Sequence, residues 1–230
     1  MAERVASRIP WAVVFDMDGV LVDSAEPHFQ SWCKLADEIG STITREQYRI
    51  TFGRQNRDVI PLLFGEEFRG RAATLSERKE AIYRDIVRHK PPVFPGVVEL
   101  IRALHERAVP LAVGSSGPHA NIKLILETAG IRHFFAAVVG EEDICRGKPA
   151  PDVFIEVSKR LDLPPQRCVV LEDAPAGVQA AKAASMRVVA VLSTHGREAF
   201  DPRSLGVAVD GFAESMAALS VEQLVGMVAT

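Results

Sequence analysis

Two aspartates near the start of the chain stand two residues apart. Asp16 and Asp18 follow a short apolar run, residues 11–15, and Gly19 comes next. This pattern is typical of a buried parallel strand that ends in a polar loop, and open parallel sheets place their ligands at such ends. The pair suits a nucleophilic carboxylate with an acid/base partner beside it, and a solvated Asp-Gly turn is the alternative.

Small hydroxyl residues and a lysine follow two later segments. Ser115 and Ser116 lie between an apolar run and a predicted helix start, where a hydroxyl and nearby amides can bind an anionic oxygen. Lys148 stands in a rigid Gly-Lys-Pro turn, where its charge can neutralise a phosphate. Taken singly, Ser115 is more typical of a helix cap and Lys148 of an exposed surface.

Two further acids, Glu172 and Asp173, close another apolar run. Taken alone, they are typical of an acidic helix N-terminus. Gathered with Asp16 and Asp18 at the ends of neighbouring strands, however, four carboxylates repel one another strongly unless a divalent cation lies among them. Hard oxygen ligands favour magnesium, so the sequence predicts a bound Mg²⁺.

Five apolar runs, separated by helical segments, must position these groups. The alternation predicts an α/β fold with a doubly wound parallel sheet and helices on both of its faces. The predicted strands are residues 11–15, 110–114, 136–140, 168–171 and 187–192. The predicted helices are residues 97–107, 118–130, 151–161 and 174–185, followed by a strand after residue 207 and a helix from residue 221. Gly130 is placed to end its helix as a C-cap.

Residues 25–94 carry helical periodicity and contain no convincing buried strand. They predict a small helical cap domain inserted into a Rossmann-like catalytic core made of residues 1–24 and 95–230. The predicted cap helices are residues 27–39, 44–51, 57–64 and 76–89. The proline-rich segment 90–96 predicts a stiff return linker, and a glycine or proline at each crossing offers a hinge.

Composition and charge narrow the possible partners. The net charge of −3 comes from 27 basic and 30 acidic residues without a long basic run, which disfavours nucleic acid as a partner. The apolar runs are far shorter than the roughly 20 residues that cross a bilayer, and no secretory leader opens the chain. We therefore expect a cytoplasmic protein, monomeric or weakly dimeric, that binds neither nucleic acid nor a membrane.

Three cysteines are spread along the chain. Cys33, Cys145 and Cys168 are far apart and odd in number, which fits neither a disulfide framework nor a CxxC site. We expect them to be reduced thiols that pack as small apolar groups.

Four segments, in order, resemble the four motifs of the haloacid dehalogenase superfamily. They are Phe15-Asp-Met-Asp-Gly-Val20, Gly114-Ser-Ser-Gly117, Gly147-Lys-Pro-Ala-Pro-Asp152 and Glu172-Asp-Ala-Pro-Ala-Gly177. The resemblance spans nearly the whole chain. It is greatest to the subgroup with a helical cap inserted after the first motif, which holds β-phosphoglucomutase and many phosphatases of small metabolites.

The resemblance implies a role for each motif residue. Asp16 matches the nucleophile that forms an aspartyl-phosphate, and Asp18 matches the general acid that protonates the leaving oxygen and then activates water. Ser115, with Ser116 beside it, and Lys148 match the phosphate-holding hydroxyl and lysine. The implied magnesium ligands are Asp16, the backbone carbonyl of Asp18, Glu172 and Asp173.

The cap residues are expected to select the leaving group. His28 matches a histidine that helps to move a sugar hydroxyl proton in β-phosphoglucomutase, and Lys79 matches a lysine that reaches the site. Arg54 and Arg57, in a segment that resembles the substrate-facing cap loop, are placed to meet a second anionic group. Each of these residues is also typical of a solvated helix face. Phe52 stands where the mutase has a substrate-binding lysine, which weakens the case for a bisphosphate intermediate.

The sequence thus predicts a Mg²⁺-dependent phosphatase that hydrolyses a small phosphorylated metabolite, by preference a sugar phosphate, through an aspartyl-phosphate. A sugar phosphate mutase of the β-phosphoglucomutase type is the alternative. Dehalogenase chemistry is disfavoured because the dehalogenases need neither the second aspartate nor magnesium. A non-enzymatic phospho-receiver module is disfavoured because the candidate nucleophile lies on the first strand and a helical insertion follows it.

Overall fold

The alternating apolar runs form one parallel sheet. The structure is a computed structural model that describes residues 11–49 and 55–228. Its strands are β1 (Ala12–Phe15), β2 (Leu111–Gly114), β3 (Phe135–Val139), β4 (Cys168–Glu172), β5 (Arg187–Val191) and β6 (Gly211–Ala213). They lie in the order β3-β2-β1-β4-β5-β6, and all neighbouring strands are parallel. The strand order reverses between β1 and β4, and open sheets of this kind bind ligands at that switch point.

Helices cover both faces of the sheet, as the alternation predicts. They are α5 (Val97–Glu106), α6 (His119–Thr128), α7 (Asp152–Leu161), α8 (Pro175–Ala183), the short α9 (Pro202–Leu205) and α10 (Val221–Val228). Gly130 follows α6 with a φ of +69°, and its N–H donates to the carbonyl of Glu127 at 3.0 Å. The predicted C-cap is therefore present.

The central strand β1 is buried on both sides. Val13 and Phe15 pack into one apolar cluster, and Ala12 and Val14 pack into the cluster on the opposite face. Successive side chains of a strand point to opposite faces, so a run of apolar residues without alternation requires cover on both. This arrangement confirms the predicted α/β fold with a doubly wound parallel sheet.

The segment between β1 and β2 is helical and has an apolar core of its own. Its helices are α1 (Ala25–Glu38), α2 (Arg45–Arg49), α3 (Asn56–Phe64) and α4 (Ala72–Val87), with a 3-10 segment at Glu66–Arg71. Trp32, Leu35, Ile60 and Leu75 are among the buried side chains at its centre. We call this helical layer the cap and the sheet with its own helices the core. The exact domain boundaries at residues 24/25 and 94/95 stay a prediction.

The two crossings between core and cap are hydrogen-bonded to each other. The N–H of Phe94 donates to the carbonyl of Leu21 at 3.1 Å, and the N–H of Asp23 donates to the carbonyl of Pro92 at 2.8 Å. The outgoing and returning chains therefore run side by side as a short antiparallel ladder. The two crossings therefore enter and leave the cap at the same place.

Some sequence predictions differ from the structure. The helix predicted to start at residue 76 starts at Ala72. The strand and the helix predicted for the tail are present as β6 and α10. The prediction of packing thiols is wrong for Cys145, because the loop before Lys148 leaves it exposed, whereas Cys33 is half-buried and Cys168 buried. Among the described residues, no helix is both long enough and apolar enough to span a membrane.

Candidate active site

The end of β1 places the first aspartate at the carboxyl edge of the sheet. Asp16 is buried, and its N–H donates to the carbonyl of Leu171 at 3.0 Å, which keeps it in register with β4. Gly19 has a φ of +79°, and a Cβ at this position would lie 1.9 Å from Oδ2 of Asp173. The predicted turn therefore needs glycine both for its backbone conformation and for the space beside that carboxylate.

Lys148 joins two of the predicted acids. Its Nζ donates to Oδ1 of Asp16 and to Oε1 of Glu172, each at 2.6 Å, and its side chain is only 9% exposed. The other oxygen of Glu172 accepts the N–H of Ala174 at 2.7 Å. Glu172 fits against α8 only because residue 177 is glycine, since a Cβ there would lie 1.6 Å from Oε1 of Glu172. The two carboxylates thus share one buried cation.

Three buried acids form a cluster that could hold a metal ion. Asp16, Glu172 and Asp173 each offer a carboxylate oxygen, and these oxygens lie within 4.8 Å of one another. Burial and the neighbouring carboxylates raise the pKa of Asp16 to about 7, against the opposing charge of Lys148. Burial and the charges of Glu172 and Asp16 also raise the pKa of Asp173 well above its usual value. The single lysine leaves an excess of negative charge, and hard oxygen donors of this kind suit a divalent cation.

The carboxylate of Asp18 faces the cap. Its Oδ1 lies 3.5 Å from Nε2 of His28 on α1, a polar contact that is longer than a hydrogen bond. Burial favours the neutral form of Asp18, but His28, a hydrogen bond with Ser24 and the charge of Lys79 together outweigh it and lower the pKa of Asp18 below its ordinary value. Asp16 and Asp18 are therefore in opposite environments although they are two residues apart.

Lys79 determines the tautomer of His28. Its Nζ lies 2.7 Å from Nδ1 of His28 and donates to Oε1 of Glu80 at 2.8 Å. An ammonium group has no lone pair, so we assign Nδ1 as the acceptor and place the ring hydrogen on Nε2, the atom nearest to Asp18. Tyr83 stacks on the imidazole with ring centroids 4.0 Å apart and an interplanar angle of 11°. The histidine is thus fixed on three sides.

The two serines of the second motif have different surroundings. Ser115 is buried, and its Oγ accepts the N–H of Gly117 at 3.0 Å. This bond tightens the turn before α6 and leaves the hydroxyl hydrogen available. Ser116 is exposed and lines the cleft together with Gly117. The sequence placed both serines at the phosphate, and the structure puts Ser116 and the backbone of the turn at the cleft surface.

A cleft of about 470 Å³ lies between core and cap and brings most of the predicted residues together. Its lining includes Asp16, Asp18, His28, Lys79, Ser116, Lys148, Glu172 and Asp173. Arg57 is exposed and lies outside this lining. Arg54 and Phe52 lie outside the described residues. A cleft of this size suits a small metabolite.

Sequence reasoning missed several residues that line the cleft. Glu80 and Asn121 are both buried there, and Nδ1 of His195 lies 3.0 Å from the carbonyl of Asp173. A signal existed for Asn121, because it precedes Ile122 and stands four residues before Ile125 on the apolar stripe of α6. A polar residue on such a stripe needs a partner from another element.

Comparison with known proteins identifies the family of this chain. A family model described as haloacid dehalogenase-like hydrolase matches residues 12–185, which is more than half of the chain. The chain belongs to this family. The resemblance predicted from the four motifs is confirmed, and with it an enzyme of the hydrolase class.

Two relatives of known name and one solved structure are similar to this hydrolase over most of its length. The phosphorylated carbohydrates phosphatase of Thermotoga maritima is 29% identical over 183 residues, which cover 76% of this chain and 82% of that protein. The beta-phosphoglucomutase of Bacillus subtilis is 31% identical over 188 residues, which cover 78% and 82%. A crystal structure of a HAD hydrolase, family IA, variant 3, from Entamoeba histolytica has a TM-score of 0.85 at 22% identity, covers 96% of this chain and 100% of that chain, and shares the fold.

Proposed function

We propose that this hydrolase is a Mg²⁺-dependent phosphatase of small phosphorylated carbohydrates, with Asp16 as nucleophile and Asp18 as general acid and base. The observation that carries the proposal is the division of labour between the two aspartates. Asp16 is held by Lys148 at the acidic cluster, whereas Asp18 faces His28 on the side where a leaving group enters. A cation at the acidic cluster would favour the charged, nucleophilic form of Asp16 against the burial that raises its pKa.

The reaction follows from these positions. An oxygen of Asp16 attacks phosphorus while the bond from phosphorus to the sugar oxygen breaks, and Asp18 gives its proton to that oxygen. Asp18 then takes a proton from a water molecule, whose oxygen attacks phosphorus and releases inorganic phosphate from Asp16. The approach of an anionic phosphate favours the protonated form of Asp18, which the first step requires.

The acidic cluster supports the prediction of Mg²⁺. Asp16, Glu172 and Asp173 would hold the ion, with the backbone carbonyl of Asp18 as a further oxygen ligand. When bound, Mg²⁺ offsets negative charge on the phosphate and on the carboxylates. Lys148 contributes in the same sense, because its Nζ is already placed between Asp16 and Glu172. Ser116 and the backbone amides of the turn before α6 complete the phosphate site, together with Ser115 beneath them.

The lining of the cleft supports a carbohydrate leaving group. On the cap side and around its rim, the lining includes the amide, hydroxyl and carboxylate groups of Ser24, Gln55, Asn56, Asp58 and Glu141. Such groups bind the hydroxyls of a sugar better than they bind an apolar leaving group. The printed name of the Thermotoga maritima relative points to the same class of substrate.

Charge pairing favours hydrolysis over a mutase reaction. A mutase must hold a bisphosphate, and its second phosphate needs a cation. Among the described residues of the cleft lining, neither lysine is left for a second phosphate, because Lys148 serves the transferred phosphate and Lys79 is paired with Glu80. The acids Asp58 and Glu141 at the rim add repulsion. The mutase remains the second candidate because of the 31% identity to the Bacillus subtilis enzyme.

The test is a panel of phosphorylated sugars with Mg²⁺, in which inorganic phosphate is measured. β-Glucose 1-phosphate with a trace of glucose 1,6-bisphosphate belongs to the panel, and glucose 6-phosphate is followed in the same reaction. We expect phosphate release from at least one sugar phosphate and no isomerisation. Glucose 6-phosphate without phosphate release would show a mutase, and no release from any compound in the panel would contradict the proposal.

A further inference from the structure

One side chain of the core is held between two residues of the cap. Asn121 lies on α6 of the core and is 2% exposed. Its Nδ2 donates to Oε2 of Glu80 at 2.5 Å, and its Oδ1 accepts from Arg84 at 2.9 Å. Glu80 and Arg84 stand four residues apart on α4, so they project from the same face of that helix. Both polar atoms of the Asn121 amide are therefore hydrogen-bonded to one turn of a cap helix.

The two contacts also determine which way the amide points. If its oxygen and nitrogen were exchanged, the oxygen would face the Glu80 carboxylate and the NH2 group would face the Arg84 guanidinium. Both contacts would then be repulsive, because a carboxylate only accepts and a guanidinium only donates. The clamp, which we define as Glu80, Arg84 and Asn121, therefore has one arrangement that satisfies every member.

Glu80 connects this clamp to the acid/base residues. Its second oxygen, Oε1, accepts from Lys79 at 2.8 Å and from Asn56 on α3 at 2.5 Å. Lys79 in turn contacts Nδ1 of His28, whose Nε2 faces Asp18. A continuous chain of polar contacts thus runs from helix α6 of the core, through the cap, and back to the core at Asp18.

We propose that the clamp couples the position of the cap to general acid catalysis. Asn121 is the member on the core, and it completes the Glu80 carboxylate only when α4 lies against α6. Glu80 then holds Lys79, and Lys79 holds His28 in the tautomer that donates toward Asp18. Asn121, Glu80 and Arg84 are positioning residues in this scheme. The inference rests on the proposed function, because it assigns Asp18 as the acid that protonates the leaving oxygen.

An exchange of donor and acceptor tests the clamp. In Asn121→Asp, an acceptor replaces the donor opposite Oε2 of Glu80. In Glu80→Gln, the Gln NH2 group faces either Nδ2 of Asn121 or the donor nitrogens of Lys79 and Asn56. In both placements a donor faces another donor, so a hydrogen bond is lost. In the double variant, the Gln NH2 group can donate to the carboxylate introduced at position 121 while its oxygen accepts from Lys79. Each single variant therefore breaks the contact, and the double variant restores it.

The kinetic readout compares two leaving groups of similar size. Hydrolysis of phenyl phosphate needs a proton on its leaving oxygen, whereas p-nitrophenyl phosphate leaves well without one. We expect each single variant to lower kcat for phenyl phosphate by about tenfold more than kcat for p-nitrophenyl phosphate. The double variant should recover most of that loss. Lys123→Ala, an exposed position on the same helix, is the control and should change neither rate.

A second readout does not depend on activity. We expect the radius of gyration in solution, from small-angle X-ray scattering, to be larger for Asn121→Asp than for the wild type. In the double variant it should return to the wild-type value. Thermal unfolding checks whether each variant is folded. If Asn121→Asp does not fold, Asn121→Ala, which removes the donor without adding charge, replaces it.

The outcomes separate the clamp from the proposed function. The clamp would be overturned, and the proposed phosphatase activity would not, by equal losses of kcat for the two phosphates in the single variants. A double variant that is no more active than the less active single variant would have the same meaning. If the wild type releases phosphate neither from these two compounds nor from any sugar phosphate of the panel, the proposed function fails, and the scattering comparison alone decides whether the clamp holds the cap. An unchanged radius of gyration in Asn121→Asp would then overturn the clamp as well.

Discussion

The core contributes an excess of negative charge to the cleft, whereas the cap contributes a balanced pair of charges. On the core side, Asp16, Glu172 and Asp173 surround the single cation of Lys148, and burial raises the pKa of two of these acids. On the cap side, Lys79 and Glu80 balance each other. Burial acts against both of those charges, yet the pKa of Glu80 is lowered because the charge of Lys79 outweighs the burial.

The two sides differ in whether their charges are balanced. The acids of the core carry an excess of negative charge that a cation would offset, whereas the cap residues satisfy one another by hydrogen bonds. Substitutions in the core should therefore affect the bond-breaking step and the response to metal. Substitutions in the cap should affect how the leaving group is protonated and leave the response to metal alone. Each of the following variants tests this contrast.

The largest effect is expected for Asp16→Asn. It removes the proposed nucleophile, so phosphate release should fall by about 10⁴-fold or more for every substrate, whatever its leaving group. The fold should persist, because the substitution also removes one charge from the crowded cluster. Phosphate release and thermal unfolding are measured together, with Asp162→Asn as the control, an exposed position with a φ of +53° that asparagine tolerates. Residual turnover within tenfold of the wild type would exclude Asp16 as nucleophile.

Asp18→Asn should discriminate between substrates. Asparagine cannot supply the proton, so hydrolysis of a sugar phosphate should fall by about 10²- to 10⁴-fold. Formation of the covalent intermediate from p-nitrophenyl phosphate should be reduced much less, which a burst of p-nitrophenol in stopped-flow measurements detects. An equal loss in both steps would assign Asp18 to binding instead of proton transfer.

His28→Ala tests the cap side and should have a smaller effect, about tenfold on kcat for a sugar phosphate. Because His28 lowers the pKa of Asp18, its removal should raise that pKa. The acidic limb of the pH–rate profile, where the base form of Asp18 is lost, should then move to higher pH. His89→Ala, an exposed histidine at the end of the cap, is the matched control and should leave the profile in place.

The smallest effect expected is a change in thermal stability with pH and Mg²⁺. The pKa of Asp16 is about 7 in the folded chain against an ordinary 3.8, so between these values the folded chain binds more protons than the unfolded one. Stability from this group therefore falls as pH rises through that window. Mg²⁺ favours the charged form, so it should raise Tm by a few degrees at about pH 8 and by less at about pH 5. His28→Ala should leave this response unchanged, and a Mg²⁺ effect larger at low pH would contradict the charge-crowding argument.

The core could be predicted closely from the sequence. Its strands are contiguous apolar runs, and each chemical group lies at the end of a strand, directly after one or in the loop before a helix, so local pattern already gives its place in the fold. Parallel pairing then brings the strand ends to one edge, because Phe15 lies in register with both Val113 and Leu171. Asp16, Lys148 and Glu172 meet there as the motifs predict, and their chemical roles stay predictions.

The cap could be predicted only in outline. Helical periodicity gave its helices, with α4 starting four residues early, because the turn at Glu66–Arg71 continues directly into the helix. His28 and Lys79 line the cleft, but Arg57 is exposed and lies outside the cleft lining. Periodicity identifies the apolar face of a helix, but it does not decide which polar residue at the edge of that face turns toward a neighbouring domain.

The amino-acid sequence by itself determined the α/β core, the helical insertion and the acidic character of the strand ends, since these depend on local pattern and on residue type. Only the tertiary structure decided the partners of Glu80 and Asn121, which are 41 residues apart and belong to different layers of the molecule. Their contact requires the cap to lie on the core at one particular angle. That angle is set by side-chain packing between α4 and α6, and no local periodicity encodes it.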